Sequence, residues 1–306
     1  MTSWDTMLDA AGIHDPQLRA DFTRGRVLVA GYRRQAYLAV RLLLPPALVP
    51  HVVAATAFMH HTDRLLDEAR PLAERMAGHA EWEKQVREGL ATGSAGHPIL
   101  RPLLHTAAQY PVLRGHIEDF LAAAPADLSF KGFATEEDYA HYVDSYSLPA
   151  FMLIASLLAP DDRTDAFREA CRSYIDGSQR LDFVNDLAED LRDERLGLSE
   201  ETLREHGVAR TDLEDGRDTP GVRALLARHL GSAREDLAAA RRMAGFVAPV
   251  HRPFVHAAVR IELLTADAVA AKGAGILRGP AHPSVPAALA VLVGEYRRTR
   301  RVRHAA

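Results

Sequence analysis

Two sets of aspartates are spaced for metal chemistry. Asp63 and Asp67 lie in HHTDRLLDE, and Asp182, Asp186 and Asp190 lie in QRLDFVNDLAEDLRDERLGL. Neighbours in each set are four residues apart, which on an α-helix puts them on one face, one turn apart. Like charges at that spacing repel, so a helix alone gains nothing from them. Paired carboxylates on two facing helices can share hard cations such as Mg²⁺, and those cations can hold a diphosphate. The first set continues a polar stripe of Thr56, His60, Asp63 and Asp67 on a helix whose other sides are apolar: Val52, Val53, Ala55, Phe58, Leu65 and Leu66. In the second set Gln179 precedes the ladder on the same face, and Gly177 leaves room for a substrate or a helix to approach. A solvated, ion-paired face is the structural alternative for either stripe. Glu189, Asp193 and Glu194 read as plain surface, with Arg192 and Arg195 as ion-pair partners.

The elements that must carry these stripes read as helices throughout. Ala, Leu, Arg and Glu dominate, and β-branched alternation is scarce. Asp15-Pro16 opens a helix through about Tyr32, Pro45-Pro46 ends the next, and helical periodicity runs from about Val49 to Glu68. Gly93–Pro98 is a loop. Thr135-Glu-Glu-Asp138 is a capping-box variant that starts a helix. Pro149 interrupts that helix before an apolar stretch. A long helix over about 162–193 carries the ladder, and Gly216–Gly221 is a linker before two or three more helices. No repeat or rich linker divides the chain. The expectation is one all-α domain over 1–306, with 1–20 and the basic tail 295–306 peripheral.

Composition narrows the function classes. The chain has 306 residues, 47% of them hydrophobic, enough for a packed core, and a net charge of −4, which points away from nucleic acid. A single cysteine, Cys171, rules out an internal disulfide and fits a reducing cytoplasm. The opening MTSWDTMLDAAG lacks the basic start and apolar run of a signal peptide. No apolar stretch reaches membrane-span length. The tail YRRTRRVRHAA allows at most a peripheral lipid contact. The fifteen histidines show no zinc spacing. GAGILRG at Gly273–Gly279 lacks the third glycine of a nucleotide loop.

The chain resembles the squalene/phytoene synthase family. LDAAGIHDPQLRADFTRGR is similar to the start of actinobacterial phytoene synthases. YLAVRLLLPPALVPHVVAATAFMHHTDRLLDE is similar to the stretch ending in the family's first Asp-rich motif. QRLDFVNDLAEDLRDERLGL is similar to the second motif, with Gln179, Asp186 and Asp190 matching and Asp182 where the family has Asn. LREHGV at Leu203–Val208 follows as the family's Leu-x-x-Phe-Gly-Val does. The resemblance implies an isoprenoid-synthase-type helical bundle with a central cavity. It also implies two or three Mg²⁺ ions bridging an allylic prenyl diphosphate, held by Asp63, Asp67, Asp182, Asp186 and Asp190.

Such an enzyme ionises the allylic C–O bond in a dry, aromatic-walled cavity. Tyr37, Tyr142, Tyr146, Phe151, Met152 and Phe183 are the wall candidates. Arg41 is the first choice to meet a phosphate, with Arg33 and Arg34 next. Gln179 and Asn185 are also expected to face the substrate.

Several positions depart from the family pattern. His60 stands where an Arg is usual, Arg64 where a second Asp is usual, and Asn185 where an Arg is usual. Tyr146-Ser-Leu-Pro149-Ala150 replaces a Gly-x-Val-Gly region, and Gly197 and Ser199 replace a Tyr and a Pro. With two arginines fewer for a second diphosphate, the expectation is transfer from one prenyl diphosphate to a non-diphosphate, aromatic acceptor. His60, His61 or a tyrosine would take the final proton. Head-to-head coupling of two prenyl diphosphates and terpene cyclisation are the alternatives. A degenerate, non-catalytic partner-binding member is disfavoured, because the acids are present.

Overall fold

The computed structural model describes residues 2–67, 70–159 and 164–305. Among them the chain forms sixteen α-helices and no strand. In order they are α1 (Trp4–Ala10), α2 (Pro16–Tyr32), α3 (Arg34–Leu43), α4 (Val49–Asp67), α5 (Leu72–Thr92), α6 (Leu100–Gln109), α7 (Leu113–Ala123), α8 (Glu136–Tyr142), α9 (Leu148–Ala155), α10 (Asp165–Asn185), α11 (Leu187–Arg192), α12 (Glu200–Glu205), α13 (Arg210–Glu214), α14 (Pro220–Ala239), α15 (Arg252–Lys272) and α16 (Val285–Ala305).

Local chemistry sets many of the boundaries. The Asp15 side chain accepts from the Leu18 N–H, and Pro16 takes the first turn of α2, where no N–H is needed. α3 stops before Pro45-Pro46. Gly93 takes a left-handed conformation, φ 72°, just beyond α5. Thr135 and Asp138 cap α8 reciprocally. Pro149 cannot continue the ladder from α8, and the chain passes through a π-helical turn, Val143–Ser147, before α9. The helix expected to run unbroken over 162–193 is two helices, with Asp186 between them at φ −94°, ψ 8°. Residues 162–163 and Glu68 of the expected helix spans lie outside the described residues.

The core centres on α4, where Val49, Val52, Val53, Ala54, Ala55, Ala57 and Phe58 are all buried. It packs against α2, α5, α6 and α9. The N-terminal segment expected at the periphery instead puts Trp4, Met7, Leu8 and Ile13 into this core, because its helix is amphipathic and its apolar side needs cover. The far end of the chain is likewise packed: α16 lies on α3 and α15, with Val291, Leu292, Glu295 and Thr299 buried.

α10 rests most closely on α14. A Cβ on Gly177 would come within 2.8 Å of the Ala233 carbonyl oxygen and 3.0 Å of the Leu237 nitrogen. The room left by Gly177 is therefore filled by a helix, and α10 sits backbone to backbone on its neighbour. The other side of α10 is fixed by polar bonds. The Tyr139 hydroxyl meets the Asp176 carbonyl at 2.8 Å and its carboxylate at 2.9 Å, and Arg180 lies over the Tyr139 ring and pairs with Glu136 at 2.8 Å. Among the described residues no helix is long and apolar enough to cross a membrane.

Candidate active site

α10 presents Tyr174, Ser178 and Asp182 at successive turns, and Asp186 and Asp190 carry the face across the break. Helical hydrogen bonds survive there: Asp186 N–H donates to the Asp182 carbonyl at 2.8 Å and Asp190 N–H to the Asp186 carbonyl at 2.9 Å. The ladder keeps its register although the helix changes segment.

The charges on this face are crowded. Asp182 is open to water yet closely surrounded by protein. That enclosure, with Glu262 and Asp186 nearby, pushes its carboxyl up to about 7, against the pull of Arg33. Asp190 is pushed up to about 6 by burial and by Asp186, Glu189 and Asp193, with Arg195 opposing. Asp186 is raised by burial and Glu189, and lowered by Arg33 and His282. These carboxylates are held together without enough fixed positive charge to keep them ionised cheaply.

Three neighbours come from elsewhere in the chain; Glu262 and His282 carry no local signal for this role, whereas Arg33 is a second choice behind Arg41 to meet a phosphate. Glu262 on α15 accepts from the Ser178 hydroxyl at 3.3 Å and from Tyr174, and burial raises its pKa. His282 approaches Asp186 from the segment before α16. Arg33 sits at the α2–α3 junction with φ −134°, ψ 62°. Its positive charge is felt by Asp182, Asp186 and Glu262 on one side and by His60 on the other.

On α4, His60 stacks on Tyr32 with ring centroids 3.7 Å apart. Its pKa is lowered by burial and by Arg64 and Arg33, which keeps the ring neutral near pH 7. Asp63, half-buried, follows one turn later. The Asp67 backbone ends α4, and its side chain lies outside the described residues. His61 points elsewhere, packing against Trp82 at 4.5 Å and His97 at 5.0 Å.

The remaining expected site residues separate into groups. The Gln179 side-chain oxygen accepts from Ser147 at 3.0 Å, which ties the ladder face to the π-helical turn. Asn185 turns away from the ladder: its side-chain oxygen accepts from the Ala281 N–H at 2.8 Å. Tyr146 packs beside Tyr142 in an aromatic cluster with Phe130, Phe133 and Phe183. Tyr142, Met152 and Phe183 are buried core, whereas Phe151 is half-buried and stacks on Tyr174 at 4.9 Å. Arg34, Tyr37 and Arg41 line a different surface, a groove between α2 and α3 that contains none of the ladder acids.

Among the described residues no group of three or more His, Cys, Asp or Glu can by itself hold a metal ion. Mg²⁺ suits such a site, since it is bound by one or two carboxylates together with waters and substrate phosphates. Raised, mutually repelling carboxylates along one face are the donor chemistry that divalent cations relieve. The residues therefore fit ions shared with a diphosphate rather than a closed protein cage.

Known proteins share this architecture. The chain is 28% identical over 230 residues to the bifunctional protein CrtB/UppS of Streptomyces coelicolor, covering 73% of this chain and 39% of that protein. It is 24% identical over 226 residues to the chloroplastic phytoene synthase 3 of Zea mays, covering 72% and 52%. The chain thus spans about half or less of the length of these curated relatives. Among solved structures, the squalene synthase HpnC from Alicyclobacillus acidocaldarius superposes with a TM-score of 0.76 at 24% identity, covering 89% of this chain and 99% of the other. A dehydrosqualene synthase in complex with ligand gives 0.79 at 19% identity, covering 94% and 98%. At these identities the structures establish the squalene-synthase-type fold. The family profile for squalene/phytoene synthase matches residues 29–287, a span that includes both aspartate sets, Arg33 and Glu262, and the chain belongs to that family of prenyl-transferring enzymes.

Proposed function

We propose that the protein ionises one allylic prenyl diphosphate and transfers the prenyl group to a non-diphosphate, aromatic acceptor. The observation that carries this reading is Glu262. An enclosed carboxylate beside Asp182, held by Ser178 and Tyr174, adds negative charge where a second diphosphate would need positive charge. The two positions where the family pattern has arginine give none: His60 is a neutral ring stacked on Tyr32, and Asn185 is committed to Ala281.

In this reading Asp63, Asp182, Asp186 and Asp190 hold Mg²⁺ together with the diphosphate, and Asp67 joins them as its sequence position suggests. Mg²⁺ supplies charge neutralisation that makes the diphosphate a better leaving group. Arg33 orients the anionic end, since a guanidinium can hold two phosphate oxygens at once. The stacked faces of Phe151 and Tyr174 border the acid face, where aromatic rings favour a carbocation and exclude water. Neutral His60 accepts the proton released when the acceptor rearomatises. Glu262 has lone pairs left to receive an acceptor O–H or N–H.

A diphosphate-release assay tests this. Geranyl, farnesyl and geranylgeranyl diphosphate are each supplied alone and then with aromatic acceptors. Release that requires the acceptor and disappears in Asp63→Ala and Asp186→Ala is the expected result. Release from a long-chain diphosphate alone, with a C30 or C40 product, would replace the proposal with head-to-head coupling.

A further inference from the structure

Most arginines with well-defined partners in this chain are ion-paired. Arg19, Arg101, Arg172, Arg180, Arg217 and Arg223 each hold carboxylates. Arg26, Arg34 and Arg41 differ. They line one groove of about 540 Å³ between α2 and α3, together with Val27, Ala30, Gly31 and Tyr37. Among the described residues none of the three has a carboxylate partner. Arg26 lies over the Trp4 ring at 5.4 Å. Arg41 lies over Tyr37 at 5.7 Å and donates from Nη2 to the Thr2 carbonyl at 2.8 Å.

Two lining side chains also carry buried polar atoms without a hydrogen-bond partner, Tyr37 Oη and Arg41 Nε. Buried donors of this kind are normally satisfied. In a chain of net charge −4, three arginines lining one groove without acids mark a place for a multiply charged anion.

We propose that this groove binds a phosphate or diphosphate group without a metal ion, as a site separate from the aspartate ladder. Three guanidiniums match a group bearing two or three negative charges, whereas one arginine satisfies a single carboxylate. Val27, 62% exposed, and Ala30 give an apolar edge, so the ligand carries a hydrocarbon body beside its phosphate. Such a group could come from a soluble isoprenoid diphosphate or from a phospholipid headgroup. The inference does not depend on the acceptor reading, because the ladder needs Mg²⁺ and the groove does not.

The test is calorimetric titration of inorganic diphosphate into the full chain with EDTA present, beside co-sedimentation with phosphatidylcholine vesicles with and without phosphatidylglycerol. Arg26→Gln and Arg34→Gln are the probes. Arg41 is left in place because it also anchors Thr2. Arg33→Gln is the control for leakage from the ladder. Metal-free diphosphate binding that weakens about tenfold in each probe, the loss of one charge-assisted hydrogen bond, and stays unchanged in the control supports the site with a soluble ligand. Capture by anionic vesicles alone, lost in the same two variants, supports it with a lipid headgroup. No binding of either kind, binding indifferent to both probes, or binding lost equally in Arg33→Gln overturns it. Matching circular dichroism and melting temperature across the variants excludes misfolding as the cause.

Discussion

Gly177→Ala puts one methyl group into the close contact between α10 and α14 that supports the aspartate ladder. The new carbon would lie 2.8 Å from the Ala233 carbonyl oxygen, 2.9 Å from Leu237 Cγ and 3.0 Å from the Leu237 nitrogen, against ordinary contact at about 3.5–4.0 Å. Two of those three atoms are backbone and cannot rotate away, so α10 and α14 must separate by several tenths of an ångström. Overpacking of this kind costs about 1–3 kcal/mol, and the better helix propensity of Ala returns about 1 kcal/mol. The expected net loss is about 0–2 kcal/mol, which for a chain of this length lowers the melting temperature by up to about 3 °C. Gly231→Ala is the internal control. It lies on α14 with nothing within 4 Å of its missing Cβ, so it should gain up to about 1 kcal/mol from propensity alone. Differential scanning calorimetry of the two variants compares them directly. Because α10 carries Asp182 and ends at Asp186, Gly177→Ala should also weaken the Mg²⁺-dependent diphosphate binding proposed above, and Gly231→Ala should not. A Gly177→Ala protein as stable as Gly231→Ala would refute the backbone-to-backbone contact.

Other perturbations have defined outcomes. The Asp182 carboxyl is pushed up to about 7 in the folded state from an ordinary 3.8, so the folded chain holds the extra proton between those pH values and metal-free stability falls as pH rises through that window. Asp182→Asn should flatten this slope. The comparison must be variant against wild type, since buried His51, lowered to about 4, destabilises in the opposite direction as pH falls below 6.5; identical slopes in chemical denaturation from pH 4.5 to 8 would contradict the reading. Tyr139→Phe removes the hydroxyl from Asp176 and should cost about 1–2 kcal/mol in urea melts. Asn185→Ala frees the Ala281 N–H, and hydrogen exchange over 280–284 should accelerate while α10 stays protected.

Much of this was legible in sequence because the signals are local. The Asp15-Pro16 start, the Pro45-Pro46 stop and the Thr135/Asp138 box each act within a turn or two. The i+4 spacing of the acids likewise needs only a helix to put them on one side. What was hidden depends on neighbours distant in the chain or on exact backbone direction. The break at Asp186 has no Gly or Pro to announce it. Arg33 and Arg34 are adjacent, yet the non-helical backbone of Arg33 places its charge beside the acids while Arg34 joins the groove with Arg41. Glu262 sits on an apolar helix 80 residues beyond the ladder, and nothing in its own segment distinguishes it from surface charge. Asn185, at a position that invites a substrate role, is occupied by a backbone N–H nearly a hundred residues away.

That last bond has a consequence for how the protein is made. Ribosomal synthesis releases His60 and Asp63 first, the ladder next, and Ala281 and His282 only after α14 and α15 have followed. A nascent chain that has not yet reached residue 282 carries its crowded carboxylates with one side of the cleft missing and the end of α10 untethered. Domains begin to fold from the N-terminus as they emerge, so α4 and its packed neighbours can form while the acid face waits. On the proposed function, competence to grip a diphosphate therefore arrives late in the life of each molecule, after the core that supports it.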